Sequence, residues 1–589
     1  MRVLLLFPPQ HFPLQPHLGM PTVTAFLQSK GFDMVQRDVN ILAYEHFLSP
    51  RMLSHAFDRI RKRPLKRSLS RVEEEHGPLS LHYAPYLIEE IESAKQVMRS
   101  EDSFYEFDKM CWAKNVIDWS LDVISDAYAP TRYLIDYFGM GYSNRSSAEV
   151  LQAIADDEQN MFVDFYREQV YPILEEVSPQ VVGISLSVGD QVIPTFTLCK
   201  AIREYDKNIH ITLGGSTTTR LARSFLRNEG LSKLFDTAML FESEIGFAEL
   251  LARLESGSDI QGTPNLAYRR DGIIHWFERK AEPSMNELPT PTFDGLPLEK
   301  YFSPKPILPI LSSRRCYYDK CTFCEINYAW GEQHRQRSAE RVVQDLKTLS
   351  EKYKTSLFKF VDEALPPGHV RQLCDLIVSE GLDISWDAYV IQERQFASQK
   401  FVNKMAKAGC KALHYGLESA SPRVSELMKK GINLALTEEI LRNTKNAGIL
   451  THIWVIFGFP GELEEDAQMT KDFVLKLHAA GLLDSIEINA FSLTRFSPVG
   501  LKYADFGISK VHKIDGEDLA LSYDYEVEGC ISQQSAREIS SEFRRELRKV
   551  GLGTNLIMEI LGPHRIAYAA RHNLAGSNII YAEQVIIEA

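Results

Sequence analysis

The chain has 589 residues and carries 66 Lys plus Arg against 79 Asp plus Glu, a net charge of -13; at about 100–200 residues per domain it is too long for one simple module. Its 44% hydrophobic and 25% charged content is that of a globular enzyme, not of a disordered or collagenous chain, and its acidic balance disfavours a general nucleic-acid binder, since it repels a polyanion. No uncharged apolar run approaches the roughly 18–20 residues of a membrane span, and the run Val3 to Phe7 is too short for a signal-peptide core, so the expected setting is cytoplasmic, with no membrane or nucleic-acid partner.

In chain order, Arg2 to Phe7 reads as a strand, followed by a Pro-rich loop, a helix around Thr22 to Lys30 and a second strand ending near Asp38, a βαβ opening. From about 41 to 168 the pattern turns to long polar and aromatic helices, a helical insertion whose basic stretch Arg59 to Arg67 reads as a solvated face. Alternation then resumes: strand Val181 to Ser187, helix Pro194 to Glu204, strand His210 to Leu213 ending in Gly214-Gly215-Ser216, strand Thr237 to Phe241 and helix Ile245 to Leu254. Residues 1–275 are thus expected to form a doubly wound, Rossmann-like α/β domain with its ligand at the carboxyl ends of the strands. The turns there are rich in Gly, Ser and Thr, which suits close backbone approach to a bulky polar cofactor. No G-x-G-x-x-G follows any of these strands, so a nicotinamide dinucleotide is not favoured.

Residues 276–306 hold Pro283, Pro289, Pro291, Pro297, Pro304 and Pro306 and read as an extended linker. A second series of strands comes next: Ile307 to Leu311, Leu357 to Val361, Ile384 to Tyr389, Ala412 to Leu417, His452 to Phe457 and Ser485 to Asn489, each separated from the next by a helical pattern. Six βα units over 307–500 fit a partial parallel barrel better than a closed eightfold one. Residues 501–589 begin irregularly and then offer an amphipathic helix from Gln534 to Val550; a small α-rich segment with a role in substrate binding is expected.

Five of the eight cysteines are scattered, but Cys316, Cys321 and Cys324 fall together as C-x-x-x-x-C-x-x-C directly after the first barrel strand. Thiolates are soft ligands, and short spacings let one loop wrap a metal centre. Structural zinc wants four ligands, and His334, Cys374 and Cys410 are not at a spacing that belongs to the motif. A zinc loop and a set of reduced structural thiols are the bland alternatives. A strand's carboxyl end, where barrel chemistry sits, favours a functional centre with one position left open.

The loop Arg314-Arg-Cys-Tyr-Tyr-Asp-Lys-Cys-Thr-Phe-Cys324 resembles the cluster motif of radical S-adenosylmethionine (SAM) enzymes, in which three cysteines hold a [4Fe–4S] cluster and the fourth iron is chelated by SAM. The extra residue between Cys316 and Cys321 departs from the usual C-x-x-x-C-x-x-C and is similar to a variant of the cobalamin-dependent branch. The resemblance implies that Phe323 lies near the adenine, that Asp362 and Glu363 meet the amino group of SAM, and that Glu418 and Ser419 of Gly416-Leu-Glu-Ser419 meet its ribose. It implies further that the backbone of Phe457, Gly458 and Pro460 in Phe457-Gly-Phe-Pro-Gly-Glu462 lies against the adenine. The N-terminal domain resembles the cobalamin-binding half of the same branch, on Pro8-Pro9, Leu18-Gly-Met-Pro21, Gly183-Ile-Ser185 and Leu213-Gly-Gly-Ser216, which makes Ser185, Gly214, Gly215 and Ser216 the implied cobalamin contacts. The D-x-H-x-x-G motif is missing, so the resemblance implies cobalamin without a histidine lower ligand, and His11 and His17 read as loop residues.

In function the resemblance implies a C-methyltransferase acting on an unactivated carbon of a peptide or small natural-product precursor, served by an electron donor such as flavodoxin or ferredoxin. A cobalamin-dependent cyclase, oxidase or rearranging enzyme without methyl transfer is the alternative, and a non-catalytic iron–sulfur redox protein is a third reading. No acid–base residue stands out by spacing. Tyr317, Tyr318, Tyr328 and Trp330 flank the cluster loop and read equally as pocket lining or core. Neither the substrate nor the oligomeric state is legible.

Overall fold

The computed structural model describes residues 1–62, 71–277, 282–330, 333–552 and 565–571. Residues 63–67 of the basic stretch lie outside the described residues. The chain divides into two compact units: 1–283, 287–306 and 515–520 form the first, and 284–286, 307–514 and 521–589 the second.

The first unit is built on β1 (Arg2–Phe7), β2 (Asp33–Asp38), β3 (Val181–Ser185), β4 (His210–Gly214), β5 (Thr237–Met239), β6 (Leu266–Arg270) and β7 (Ile273–Trp276), in the order β2-β1-β3-β4-β5-β6-β7. The first five strands run parallel, with Val3 opposite both Met34 and Val181. Helices cover the sheet, so β1 and β3 read as near-continuous apolar runs, buried from Val3 to Phe7 and from Val181 to Ile184. The order reverses between β1 and β3, which puts the ligand crevice outside their carboxyl ends.

The sheet is not wholly parallel, as the sequence pattern implies: β6 and β7 form an antiparallel hairpin on its edge. Its turn is Asp271-Gly272, both with positive φ (51° and 78°), the dipeptide that a tight hairpin favours. The insertion is helical as expected, with its longest helices at Arg71–Arg99 and Phe107–Ala127. In the second of these, Met110, Ala113, Ile117, Leu121 and Ile124 lie buried at helical spacing. The Pro-rich segment packs on the first unit: Gln36 donates to the carbonyls of Thr292 (2.8 Å) and Asp294 (2.9 Å), and Tyr301 donates to Asp38.

The second unit holds β8 (Ile307–Ile310), β9 (Leu357–Phe360), β10 (Ser385–Val390), β11 (Cys410–Glu418), β12 (Leu450–Phe457) and β13 (Ser485–Ala490), all parallel and paired in sequence order. Helices Ala339–Tyr353, Pro367–Ser379, Gln399–Lys407, Leu434–Asn446 and Glu464–Ala479 connect them, and the result is a six-stranded partial barrel.

Beyond the barrel a small antiparallel sheet, which the sequence reading does not anticipate, accompanies the expected helix. β14 (Leu493–Thr494), β15 (Ile508–His512) and β16 (Ser522–Val527) form an antiparallel sheet, followed by the expected helix at Gln533–Lys549. Only Ile508 and Tyr525 of the two longer strands are fully buried, which leaves little alternation to read. Helix Arg565–Arg571 packs against β9, β10 and β11. Among the described residues no helix is long and apolar enough to cross a membrane.

Candidate active site

After β8 the chain passes through Ser312 and Ser313 into the loop of Cys316, Cys321 and Cys324, all half-buried. Ser313–Arg314 pairs with Arg335–Gln336 and closes the base of the loop. Asn327 accepts from the Cys316 N–H at 3.0 Å and donates to Asp319, which pairs with Arg315. Arg315 and Asp319 both have positive φ (69° and 49°), a strained state that persists only where surrounding bonds over-determine it. Thr322 donates its N–H to Met428 (3.0 Å) and its hydroxyl to Leu427 (3.1 Å), while its carbonyl accepts from Val499 (3.0 Å). The extra residue of the motif is therefore carried in a loop stapled on both sides.

Burial pushes the Cys321 thiol up to about 11 and the Cys324 thiol up to about 12, so these groups are neutral in the bare loop and ionise only with a metal centre. Among the described residues no three of His, Cys, Asp and Glu converge as ligands of a single ion would. A zinc loop needs that convergence. In a four-iron cluster each cysteine binds its own iron, and the chemistry of three thiols on one loop fits it.

Lys430, which no motif singles out, places a buried cation at this site. Its ammonium donates to Glu418 at 2.8 Å and lies 5.8 Å from the centre of the Phe323 ring. Glu418 ends β11 with φ 61°, past an irregularity in the register between Gly416 and Glu418, and is buried. No spacing rule links Lys430 to the cysteines; only the fold does.

Asp362 is placed differently from the expectation. Its carboxylate accepts from the Ser312 N–H (3.0 Å), the Ser312 hydroxyl (2.7 Å) and the Ser313 hydroxyl (2.6 Å), and it is 1% exposed. It anchors the root of the cysteine loop and is not presented to an ammonium. Glu363 lies at the loop, where it accepts from the Trp330 indole at 3.0 Å. Ser419 is likewise committed to Thr470 and Ser421; the buried ring of Phe457 packs on Phe543 of the covering helix, and the expectation there concerns its backbone.

Gly458 takes φ 81°, and an added Cβ would come within 2.2 Å of the Ala536 Cβ, so only glycine fits. Its N–H donates to the buried Glu462 carboxylate, whose pKa burial raises to about 7, and its carbonyl accepts from Tyr525 at 3.1 Å. Pro460 lies buried in the same turn.

In the first unit, Ser185, Gly214, Gly215 and Ser216 gather at the carboxyl ends of β3 and β4. Gly215 has φ 99°, and a Cβ there would lie 2.3 Å from the Leu186 carbonyl oxygen. Ser216 donates to Ser187 O at 2.8 Å. Gln191, another residue outside every motif, ties the crevice together: its amide oxygen accepts from Ser187 N–H (2.8 Å) and its amide nitrogen donates to Pro8 O (2.7 Å). His17 stacks on Phe7 at 4.8 Å and its Nδ1 accepts from the Gly19 N–H at 3.2 Å. His11 meets the same Phe7 ring edge-on. Burial lowers His17 to about 3 and His11 to about 4, which keeps both neutral.

Residues 310–474 match the model of the radical SAM superfamily. The chain is 28% identical over 319 residues to an uncharacterized methyltransferase of Pyrococcus horikoshii, covering 53% of this chain and 68% of the relative. It is 24% identical over 381 residues to the cytidylyl-2-hydroxyethylphosphonate methyltransferase of Streptomyces wedmorensis, covering 58% and 69%. In fold it is similar to the radical SAM methyltransferase TsrM of Kitasatospora setae, with TM-score 0.56, 16% identity and coverage of 91% and 82%. It is also similar to the cobalamin-dependent SAM radical enzyme OxsB, with TM-score 0.62, 13% identity and coverage of 100% and 71%.

Proposed function

We propose that the chain, whose residues 310–474 match the radical SAM superfamily, is a radical SAM enzyme and a cobalamin-dependent C-methyltransferase acting on an unactivated carbon of a peptide or small natural-product precursor. The observation that carries the reading is the stapled loop of Cys316, Cys321 and Cys324 beside the Glu418–Lys430 pair, in a chain whose other unit offers a glycine-walled crevice at the carboxyl ends of its strands.

In this reading the three cysteines hold a [4Fe–4S] cluster with one iron open to SAM. When bound, the cluster and SAM supply a reductively formed carbon radical, and cobalamin supplies the methyl group. The chain's own residues position these groups. Glu363 takes the ammonium of SAM as a charge-assisted acceptor, Glu418 takes ribose hydroxyls while Lys430 holds its carboxylate in place, and the turn Gly458 to Pro460 presents backbone to the adenine beside Phe323. Asp362 and Glu462 fix the two turns on which these contacts depend. Ser185 and Gly214 to Ser216 would receive cobalamin, and His17, held against Gly19 and Phe7, is not assigned to it. A flavodoxin- or ferredoxin-like donor provides the electron. Domain limits of 1–275, 276–306 and 307–500 go with this reading.

The test is anaerobic reconstitution with iron, sulfide and cobalamin, followed by spectra and mass analysis of products. The expected result is one [4Fe–4S] cluster and one cobalamin per chain, with both 5′-deoxyadenosine and S-adenosylhomocysteine formed. 5′-Deoxyadenosine without S-adenosylhomocysteine in the presence of turned-over substrate assigns the alternative, a cyclase, oxidase or rearranging enzyme. A Cys324→Ala variant that keeps the cluster and still cleaves SAM overturns the site.

A further inference from the structure

The cysteine loop has a solvent side, and three segments of the second unit meet there. Thr322, between Cys321 and Cys324, donates to the carbonyls of Met428 and Leu427, and its own carbonyl accepts from the Val499 N–H. Tyr318 donates its hydroxyl to the Lys429 carbonyl at 2.8 Å. These bonds hold residues 427–429 and the segment that starts at Val499 against the loop. A surface fixed in this way pays no loop-ordering entropy when a partner binds to it.

The side chains that these segments leave in solvent are of two kinds. Leu427 is 37% exposed, Leu501 67% and Tyr503 41%, although their near neighbours Met428 and Val499 are fully buried in the apolar cluster against which Phe323 packs. Beside them Lys320, Lys429 and Lys502 are exposed. Asp319 is paired with Arg315, and Arg423 with Asp466. The exposed charges outside ion pairs are therefore these three lysines against Glu426 and Asp505. Single exposed leucines are ordinary, but apolar side chains grouped within a charged rim mark a surface that binds another protein.

We propose that this face docks a small acidic redox protein, the one-electron donor of the cluster. Function selects the occupant: the cluster needs an electron from outside the chain, and electron transfer weakens steeply with distance, so the donor has to meet the chain close to the cysteines. Half-buried Cys321 stands between exposed Lys320 and the stapled Thr322, which makes this the place. Charge selects the sign: the chain carries -13 and repels an acidic partner as a whole, so such a partner settles only where the local balance is positive. The donor loses one electron and the cluster gains one, with no bond made or broken. A few exposed apolar side chains suit the small, weak contact of an electron-transfer pair better than a permanent interface. The proposal rests on the reading of the cysteine loop as the cluster site and adds where its electron enters.

The test uses the full-length, cluster-loaded protein and two acidic donors, a bacterial flavodoxin and a plant-type ferredoxin, with binding read by biolayer interferometry. The expected result is binding of at least one donor that weakens as salt is added. A Lys320→Glu, Lys429→Glu double variant binds that donor about tenfold or more weakly, and Leu501→Ser about threefold or more weakly, as loss of part of a buried leucine contact requires. Both keep the parental melting temperature, iron content and reduction by dithionite, a reductant small enough to need no docking face. Lys400→Glu with Lys407→Glu makes the same change in net charge on helix Gln399–Lys407 and binds like the parent. Binding of neither donor by the parent, parental binding by the first double variant, or an equal loss in the control overturns the proposal. So does a dimer in sedimentation that Leu501→Ser dissociates, which assigns the face to a second copy of the chain. None of these readouts involves methyl transfer, so the docking face and the proposed function fail separately.

Discussion

Replacing Asp362 by alanine separates a structural carboxylate from a cosubstrate-binding one. The side chain accepts three hydrogen bonds from Ser312 and Ser313 at 2.6–3.0 Å, and bonds to a charged group are each worth about 1.5–3 kcal/mol net. Their gross sum is offset by the cost of burying the carboxylate, visible in a pKa that burial raises above the usual range. Alanine leaves the Ser312 N–H and the two hydroxyls without their acceptor, at about 1–3 kcal/mol for each buried group left unpaired. A loss of about 4 kcal/mol lowers the melting temperature of a unit this size by roughly 8–16 °C, at about 2–4 °C per kcal/mol. Scanning calorimetry on the apoprotein reads that shift, and iron content after reconstitution reads its consequence, because the bonded serines lead directly into the cysteine loop. Glu363→Gln is the control: it melts like the parent, keeps its iron and binds SAM about tenfold more weakly, the loss of one charge-assisted bond. An Asp362→Ala protein with parental melting and full iron but no SAM binding would refute the reasoning and return Asp362 to the cosubstrate.

Gly215→Ala puts a methyl group 2.3 Å from the Leu186 carbonyl oxygen at φ 99°; strain and overpacking together are worth about 2–4 kcal/mol, so the first unit should melt earlier and release cobalamin on gel filtration, and unchanged melting counts against the close approach. Glu462 has a folded pKa of about 7 against an ordinary 4.5, so the stability it contributes is complete below about pH 4.5 and lost as pH rises through about 7, in all about 3 kcal/mol. Melting temperature should therefore fall between about pH 4.5 and 7, and Glu462→Gln should flatten that slope; an equally steep slope in the variant rejects the assignment. Lys430→Met removes the cation beside Phe323 and Glu418, and potentiometric titration should find the cluster harder to reduce, with Lys430→Arg near the parent; equal potentials in all three proteins dismiss the electrostatic role.

The barrel is legible in the sequence because each strand is an apolar run followed by a helical period, and its six strands lie within a residue or two of their expected limits. The cysteine loop is legible because a metal centre imposes a local spacing that survives without its fold. The illegible parts depend on partners distant in sequence. Asp362 sits where a ligand contact is expected, but which way its carboxylate turns is settled by serines about 50 residues away. Lys430 and Gln191 matter through register and loop closure, to which no spacing rule refers. The docking face escapes a sequence reading because Lys320, Leu427 and Leu501 lie in three separate segments and form a group only once Thr322 ties those segments together. The edge hairpin is different: Asp271-Gly272 is a readable signal, and its flanks Leu266–Arg270 and Ile273–Trp276 carry enough apolar residues to be taken as strands.

The short stretch 515–520 belongs to the first unit. Within it the Leu519 N–H donates to Arg145 O, Asp518 accepts from the Ser147 N–H and Ser224 hydroxyl, and Glu517 pairs with Arg145 at 2.8 Å. Leu519 and Ala520 are each 2% exposed. The first unit therefore lacks part of its own interior until the whole barrel has been made, although chains usually complete their N-terminal domain first during synthesis. A fragment ending at the Pro-rich segment would carry every strand of the first sheet and still expose the seat of Leu519. On the ribosome, that unit must wait for more than two hundred further residues before its last contacts can form.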